Sequence, residues 1–225
     1  LHVPSHSFPT RRSSDLWYDG YGIGGAIYSY GKDGKTTISL TTFSSNKAIG
    51  VSSRYKKVYG YGGAIYSSDR QLIISSTTFI SNVASGCGYF AEGDGYGGAI
   101  YCSNNKLIIS STTFNSNEVL TITSTIFSSN TANGLSHGYG GAIFIDSKSI
   151  ATFIDDVKFI KNLAQTSGGA IYNSGTINLI ANTNNLEFTG NTANGISNAI
   201  HSGGTINLWA SEKGNIIFND RITGL

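Results

Sequence analysis

The chain has 225 residues and a formal net charge of +2, with 12% charged and 12% aromatic residues, 29 glycines, two prolines, two cysteines and no methionine. Strong helix formers are scarce beside Gly, Ser, Thr, Asn, Ile and Tyr, which excludes an all-helical protein, and the aromatic and β-branched content excludes a disordered one. Two cysteines exclude a disulfide scaffold, near-neutral charge leaves no footprint for nucleic acid, and no run of eighteen apolar residues offers a membrane helix.

At the start of the chain, His6 to Leu16 back-translates to a string that resembles a common short-read sequencing adapter, and Leu1-His2 fits its upstream arm. Residues 1–16 are therefore expected to be adapter-derived and foreign to the fold. Residues 17–225 are expected to form a single repeat domain, a fragment truncated at both ends. Without the first sixteen residues, thirteen basic and twelve acidic residues remain.

From Trp17 onward a theme recurs. Gly-Gly-Ala-Ile-Tyr stands at Gly24-Gly25 with Ile27, Gly62-Gly63 with Ile65, Gly97-Gly98 with Ile100 and Gly168-Gly169 with Ile171. Gly-Gly-Ala-Ile-Phe stands at Gly140-Gly141 with Ile143, and a decayed copy follows at 197–201. A Phe-x-x-Asn motif alternates with it: Phe43/Asn46, Phe79/Asn82, Phe114/Asn117, Phe127/Asn130, Phe159/Asn162 and Phe188/Asn191. Ahead of these Phe residues lie Ile38, Leu72 and Ile74, Leu107 and Ile109, and Leu120 and Ile122, in the alternation of a strand with one buried face.

Units of this kind cannot each bury their own apolar face, so they stack. Each unit reads as three short strands, Gly-Ala-Ile-Tyr, Leu-Ile-Ile-Ser and Thr-Thr-Phe, with no helical stretch between them. Three strands per coil predict an all-β fold, a right-handed parallel β-helix (a pectin-lyase-like solenoid) of six to seven coils spaced about 4.8 Å apart. The Phe rings are expected to stack inside the core and the Asn side chains to bridge coils at one corner, where Asn supplies the left-handed conformation. The glycine pair serves the other corner, giving positive φ and close backbone approach. Excess residues, 47–61, 83–96 and 131–139, are read as loops emerging from one edge. Phe114 and Phe127, only 13 residues apart, suggest a coil that lost its glycine half or a collapsed repeat.

With both motifs alternating over residues 20–219, the chain resembles the polymorphic outer membrane protein repeats best known from chlamydiae. That resemblance implies a surface-exposed, autotransporter-type passenger at the outer membrane or secreted from it, with adhesin activity. It departs from the chlamydial proteins in its tyrosine-rich glycine corners, its near absence of cysteine and the absence of a C-terminal β-barrel from this sequence. The expected partner is a protein or glycan on a host or neighbouring cell; nucleic acid is not expected, and membrane contact only through a missing C-terminal anchor or barrel. The motif residues are structural.

Catalytic chemistry finds little support in the residues. β-helical lyases and hydrolases need paired carboxylates, or calcium with a base. Asp155-Asp156 is the only adjacent acidic pair, and in a strand its side chains would face opposite ways, so it reads as a solvated substitution. His137, placed in a loop, and His201, in the tyrosine position of the decayed repeat, read as surface or stacked rings. Gly20-Gly22-Gly25 and Gly93-Gly95-Gly98 fit G-x-G-x-x-G, but no helix follows and the repeat explains each glycine. Lys35 follows Gly34 without a complete phosphate loop, and Gly-Asp94-Gly lacks a nine-residue calcium period. Arg54, Lys56 and Lys57 form one small basic cluster. No enzyme activity, cofactor or metal is expected. Cys87 and Cys102 are either disulfide-bonded or two separate thiols. A binding surface is expected from Tyr59, Tyr61, Tyr89, Phe90, Tyr96 and Tyr139, with Tyr18 and Tyr21, just ahead of the glycine corners, unless these rings only cover the corner glycines as an outer ladder.

Overall fold

The computed structural model describes residues 21–52, 57–88, 93–103, 106–110, 125–134 and 136–224. The described residues form short strands joined by sharp turns, without a helix, and every strand pairing but one is parallel. Residues of successive repeats face one another in strict register, as in Tyr28↔Tyr66↔Tyr101↔Phe144↔Tyr172↔His201. The fold is a parallel β-helix.

One coil is followed most simply from Ile65. The strand Ile65–Ser75 runs along two faces, carrying first the Ile-Tyr segment and then Leu72 and Ile74 inward. Ser76, at φ 48°, turns the chain into Thr78–Ile80, where Phe79 is fully buried. A second turn at Ser81 leads to Val83–Gly88, then Gly93–Tyr96, and Gly97 at φ 62° closes the coil onto Ile100.

Three strands per coil was therefore too few. The stretches expected to be loops do leave from one edge, between the asparagine and the glycine pair, but they are hydrogen-bonded strands. Lys47–Ser52, Val83–Gly88 and Thr131–Gly134 form one ladder, and Tyr21–Ile23, Val58–Tyr61, Gly93–Tyr96 and His137–Tyr139 form another. The two ladders lie back to back as a side extension. A Cβ added at Gly60 would meet the backbone of Ser85 and Ala48, and one at Gly95 the backbone of Asn133 and Ala84. Ordinary sheets pack about 10 Å apart because side chains fill the gap. Here glycine removes the side chains and the backbones close in.

The core of the rod is a set of columns. Phe43, Phe79, Phe127, Phe159, Phe188 and Phe218 stack with centroids 4.8 to 5.0 Å apart and ring planes within 16° of parallel. Burying each ring stabilises by about 1.5–3 kcal/mol, and each stacked pair adds about 0.5–1.5 kcal/mol. Phe114 and Asn117 lie outside the described residues, as do Leu120 and Ile122. Phe79 stacks directly on Phe127, so no coil intervenes between them.

The asparagines form a second column. Asn46 donates from its backbone N–H and from Nδ2 to Oδ1 of Asn82 at 3.0 and 2.9 Å, and the pattern repeats from Asn82 to Asn130, Asn130 to Asn162 and Asn162 to Asn191. The Nδ2 groups of Asn82, Asn130, Asn162 and Asn191 also donate to the phenylalanine carbonyl of the preceding coil, Asn82 to Phe43 for instance. The expected bridging is present, but Asn does not supply the left-handed residue. Ser45, Ser81, Ser129, Lys161 and Gly190, one position earlier, carry the positive φ. The buried amide is thereby left free to point along the column.

Candidate binding surface

The ladder of Tyr21–Ile23, Val58–Tyr61, Gly93–Tyr96 and His137–Tyr139 sets up the surface. Its residues alternate, with the glycines and Val58 toward the partner ladder and larger side chains facing out; at the glycines an inward side chain would strike backbone. Tyr21, Tyr59, Asp94 and His137 make one outward column, and Tyr61, Tyr96 and Tyr139 make the next. Around the glycine corner stands a third column from the repeat motif itself, Tyr28, Tyr66, Tyr101, Phe144 and Tyr172, ending on His201.

Within the third column the ring centroids are spaced 5.1 to 5.2 Å and the rings are stacked. In the second, Tyr61, Tyr96 and Tyr139 follow at 5.2 and 5.6 Å. The two columns meet edge to face. Tyr61 lies 4.9 Å from Tyr101 at 67°, Tyr96 lies 5.1 Å from Phe144 at 82°, and Tyr139 lies 4.9 Å from Tyr172 at 58°. The corner is thus a continuous aromatic seam parallel to the rod axis. Each ring is held between neighbours, so it keeps little rotamer freedom to lose when something binds.

Burial pushes the hydroxyls of Tyr61, Tyr96 and Tyr101 above the usual tyrosine range, with neighbouring tyrosines or acids adding to the effect. Tyr66 and Tyr139 shift the same way for the same first reason. These five hydroxyls of the seam are therefore held as protonated phenols. Asp94 accepts from the Tyr96 hydroxyl at 3.2 Å and lies 3.2 Å from Nδ1 of His137, whose ring also stacks on Tyr139 at 5.6 Å.

Of the tyrosines picked out in the sequence, Tyr21, Tyr59, Tyr61, Tyr96 and Tyr139 come together in these columns; Tyr18, Tyr89 and Phe90 lie outside the described residues. They do form the outer ladder that was the plainer of the two readings. What the sequence reading missed is that the motif tyrosines, Tyr28, Tyr66, Tyr101 and Tyr172, belong to the same surface. The fifth position of Gly-Gly-Ala-Ile-Tyr, too polar for the core and repeated in register, was the available signal.

Other candidates resolve into structure. Asp155 and Asp156 are not in a strand but at a corner, at φ 45° and 42°. Asp155 is buried and accepts from the backbone N–H groups of Asn182, Thr183 and Asn184 and from the Thr183 hydroxyl, so it caps the turn of the next coil. Asp156 sits 4.0 Å from Lys158. His137 is in a strand rather than a loop, and His201 stacks on Tyr172 while its Nδ1 lies 3.0 Å from the Thr223 hydroxyl. Gly93 and Gly98, like Gly95, stand where a Cβ would enter neighbouring backbone, which accounts for the G-x-G-x-x-G spacing. Cys102 is a free thiol, fully buried in the core. Arg54 and Lys56 lie outside the described residues. No group of three or more metal-ligating side chains occurs among the described residues.

No curated protein and no solved structure matches this chain. A family model, the Chlamydia polymorphic membrane protein repeat, matches residues 40–68, 76–103, 124–146 and 156–174. Each match begins three residues before a core phenylalanine, takes in the column asparagine and ends beyond the next glycine corner; the stretch holding Phe114 and Asn117 falls between matches. These four stretches are therefore similar to the repeats of the Chlamydia polymorphic membrane protein family, as the alternating motifs indicated.

Proposed function

We propose that this chain is the surface-exposed β-helical part of an outer-membrane protein, displayed as an autotransporter-type passenger, and that it acts by adhesion without catalysis. The observation that carries the reading is the aromatic seam. Stacked tyrosines occupy the outside of the glycine corner, where the packing of the core does not require them, and aromatic residues held rigid at a surface are efficient contact groups. The family match supports an envelope location. The adjacent carboxylates that a hydrolase would need are used otherwise: Asp155 is occupied by backbone donors.

Surface-coated chain tested for retention of cultured epithelial and bacterial cells should show saturable binding that falls when Tyr59, Tyr61 and Tyr139 are replaced together by Ser. Binding unchanged by that replacement would remove the seam from the mechanism. Turnover of any member of a polysaccharide panel, read as new reducing ends or unsaturated products, would overturn the non-catalytic part.

A further inference from the structure

The seam has a period, a direction and a chemistry, and together they select among ligands. We propose that it binds a neutral, extended, β-linked glycan laid along the rod axis. The proposal rests on the adhesive reading above and names the class of molecule that the surface engages.

The period comes first. From Tyr28 to Tyr172 five rings follow at 5.1 to 5.2 Å. That spacing is close to the length one hexose occupies in an extended β-1,4-linked chain, so each sugar meets one ring and, as successive sugars are turned over, the match recurs in step at every second ring. An extended polypeptide repeats its same-side residues only every ~6.6 Å, twice the rise of ~3.3 Å per residue. It would be out of step within two coils.

The chemistry points the same way. Ring faces within each column are covered by the next ring, so what the seam offers a ligand is C–H edges and phenol oxygens. Sugars present matching groups, apolar C–H surfaces rimmed by hydroxyls. A polypeptide would bring backbone N–H and C=O groups, but the inner strands beneath, Val58–Tyr61, Gly93–Tyr96 and Ile100–Cys102, have committed theirs to parallel ladders on both sides and leave no edge there for strand addition.

Charge decides between neutral and acidic glycans. The seam rings are uncharged, and the acids beside them are Asp94, against Tyr96, and Asp146, whose charge adds to the upward shifts of Tyr66 and Tyr101. Sulfated or uronate-rich chains would meet repulsion there.

The test uses the full chain and β-1,4-linked glucose and N-acetylglucosamine oligomers of two to six units, titrated by calorimetry. Affinity is expected to rise with each added sugar and to level off near five units. The isosteric triple variant Tyr61→Phe, Tyr96→Phe, Tyr101→Phe should keep its unfolding midpoint and bind the hexamers about ten- to a hundredfold more weakly, as expected for several lost hydroxyl contacts. Binding that does not depend on length, or equal or tighter binding of a heparin hexasaccharide or of an uncharged Thr-Gln repeat peptide, would overturn the proposal, as would no binding at all. Cell retention by the same preparation separates the two levels. If cells are held but the oligomers neither bind nor compete, the glycan proposal fails and adhesion stands; if no cell is held, adhesion itself fails.

Discussion

Asp220 occupies the place of an asparagine at the end of the amide column: Asn191 donates to its Oδ2 from both backbone N–H and Nδ2, at 2.8 Å each. Gly190 N–H and the Ser197 hydroxyl donate to its other oxygen. Asn82, Asn130, Asn162 and Asn191 each accept from one neighbouring coil and donate to the other; a carboxylate only accepts. Replacing Asp220 by Ala should cost about 2–4 kcal/mol, because the buried Asn191 backbone N–H and one Nδ2 hydrogen lose their acceptor, whereas Asp220→Asn should retain most of the stability. Urea unfolding midpoints of the two variants check this.

In the middle of the column the effect should be larger. Asn130→Ala removes the acceptor for two Asn82 donors and the donors to Asn162 and to the Phe79 carbonyl. A loss of roughly 3–5 kcal/mol is expected, in the range for breaking a buried network. Thermal melts would show it, and a change below about 1 kcal/mol would mean that the column is not cooperative.

Phe127 is sandwiched between Phe79 and Phe159 at 4.8 and 4.9 Å. Phe127→Ala should destabilise by about 3–5 kcal/mol through cavity formation, and Phe127→Leu by much less. Because coils interact only with their neighbours, hydrogen exchange should speed up most in the coils holding these three rings.

Three glycines separate steric from conformational cost. Gly95→Ala places a Cβ in the backbone of the opposite ladder without requiring positive φ, Gly195→Ala meets open space at φ 71°, and Gly203→Ala meets open space without positive φ. The expected order of destabilisation is Gly95 first, Gly195 at about 1–2 kcal/mol, and Gly203 near zero. Equal effects at Gly95 and Gly203 would show that the two ladders of the extension can separate freely.

Alkaline pH should unfold the protein through its tyrosines. Burial holds Tyr61, Tyr96 and Tyr101 protonated in the folded chain beyond the ordinary value near 10, while the unfolded chain ionises at about 10. Above that pH the unfolded state binds fewer protons, so stability falls as pH rises from about 10, and these groups add no pH dependence below it. Melting temperatures from pH 8 to 11, alongside tyrosinate absorbance, measure this. Cys102 follows the same logic, its thiol pushed up by burial first and Asp146 second, and it should resist maleimide until the chain unfolds.

The core was legible in the sequence because each core position is filled by one residue type at one spacing: Phe127 and Asn130 announce their columns whatever surrounds them. The extension was not. Tyr59-Gly60-Tyr61 reads as loop on composition, since glycine is poor in strands, and only the facing backbone explains why glycine is required there. Phe127 is followed by the strand His137–Tyr139 that closes a coil, whereas Phe114, which carries the same motif, lies outside the described residues. Asp220 escaped notice because one residue, not two, separates it from Phe218, and because the matching property is acceptor capacity rather than identity.

The back-to-back ladders of the extension bury only small apolar side chains, Ala48, Val58, Ala84 and Ala132, apart from the main core, and they join the rod at the asparagine turn and the glycine corner. Successive coils already differ there: the extension is long at Val83–Gly88 and Gly93–Tyr96, shorter at Thr131–Gly134 and His137–Tyr139, and reduced to a two-residue turn between Thr192–Ala193 and Ile196–Ser197. Phenylalanine and asparagine columns pass these changes undisturbed. Such a design lets the outward part of a repeat gain or lose residues in pairs while the inward part stays fixed, so two chains could share one scaffold and present quite different faces to whatever recognises them.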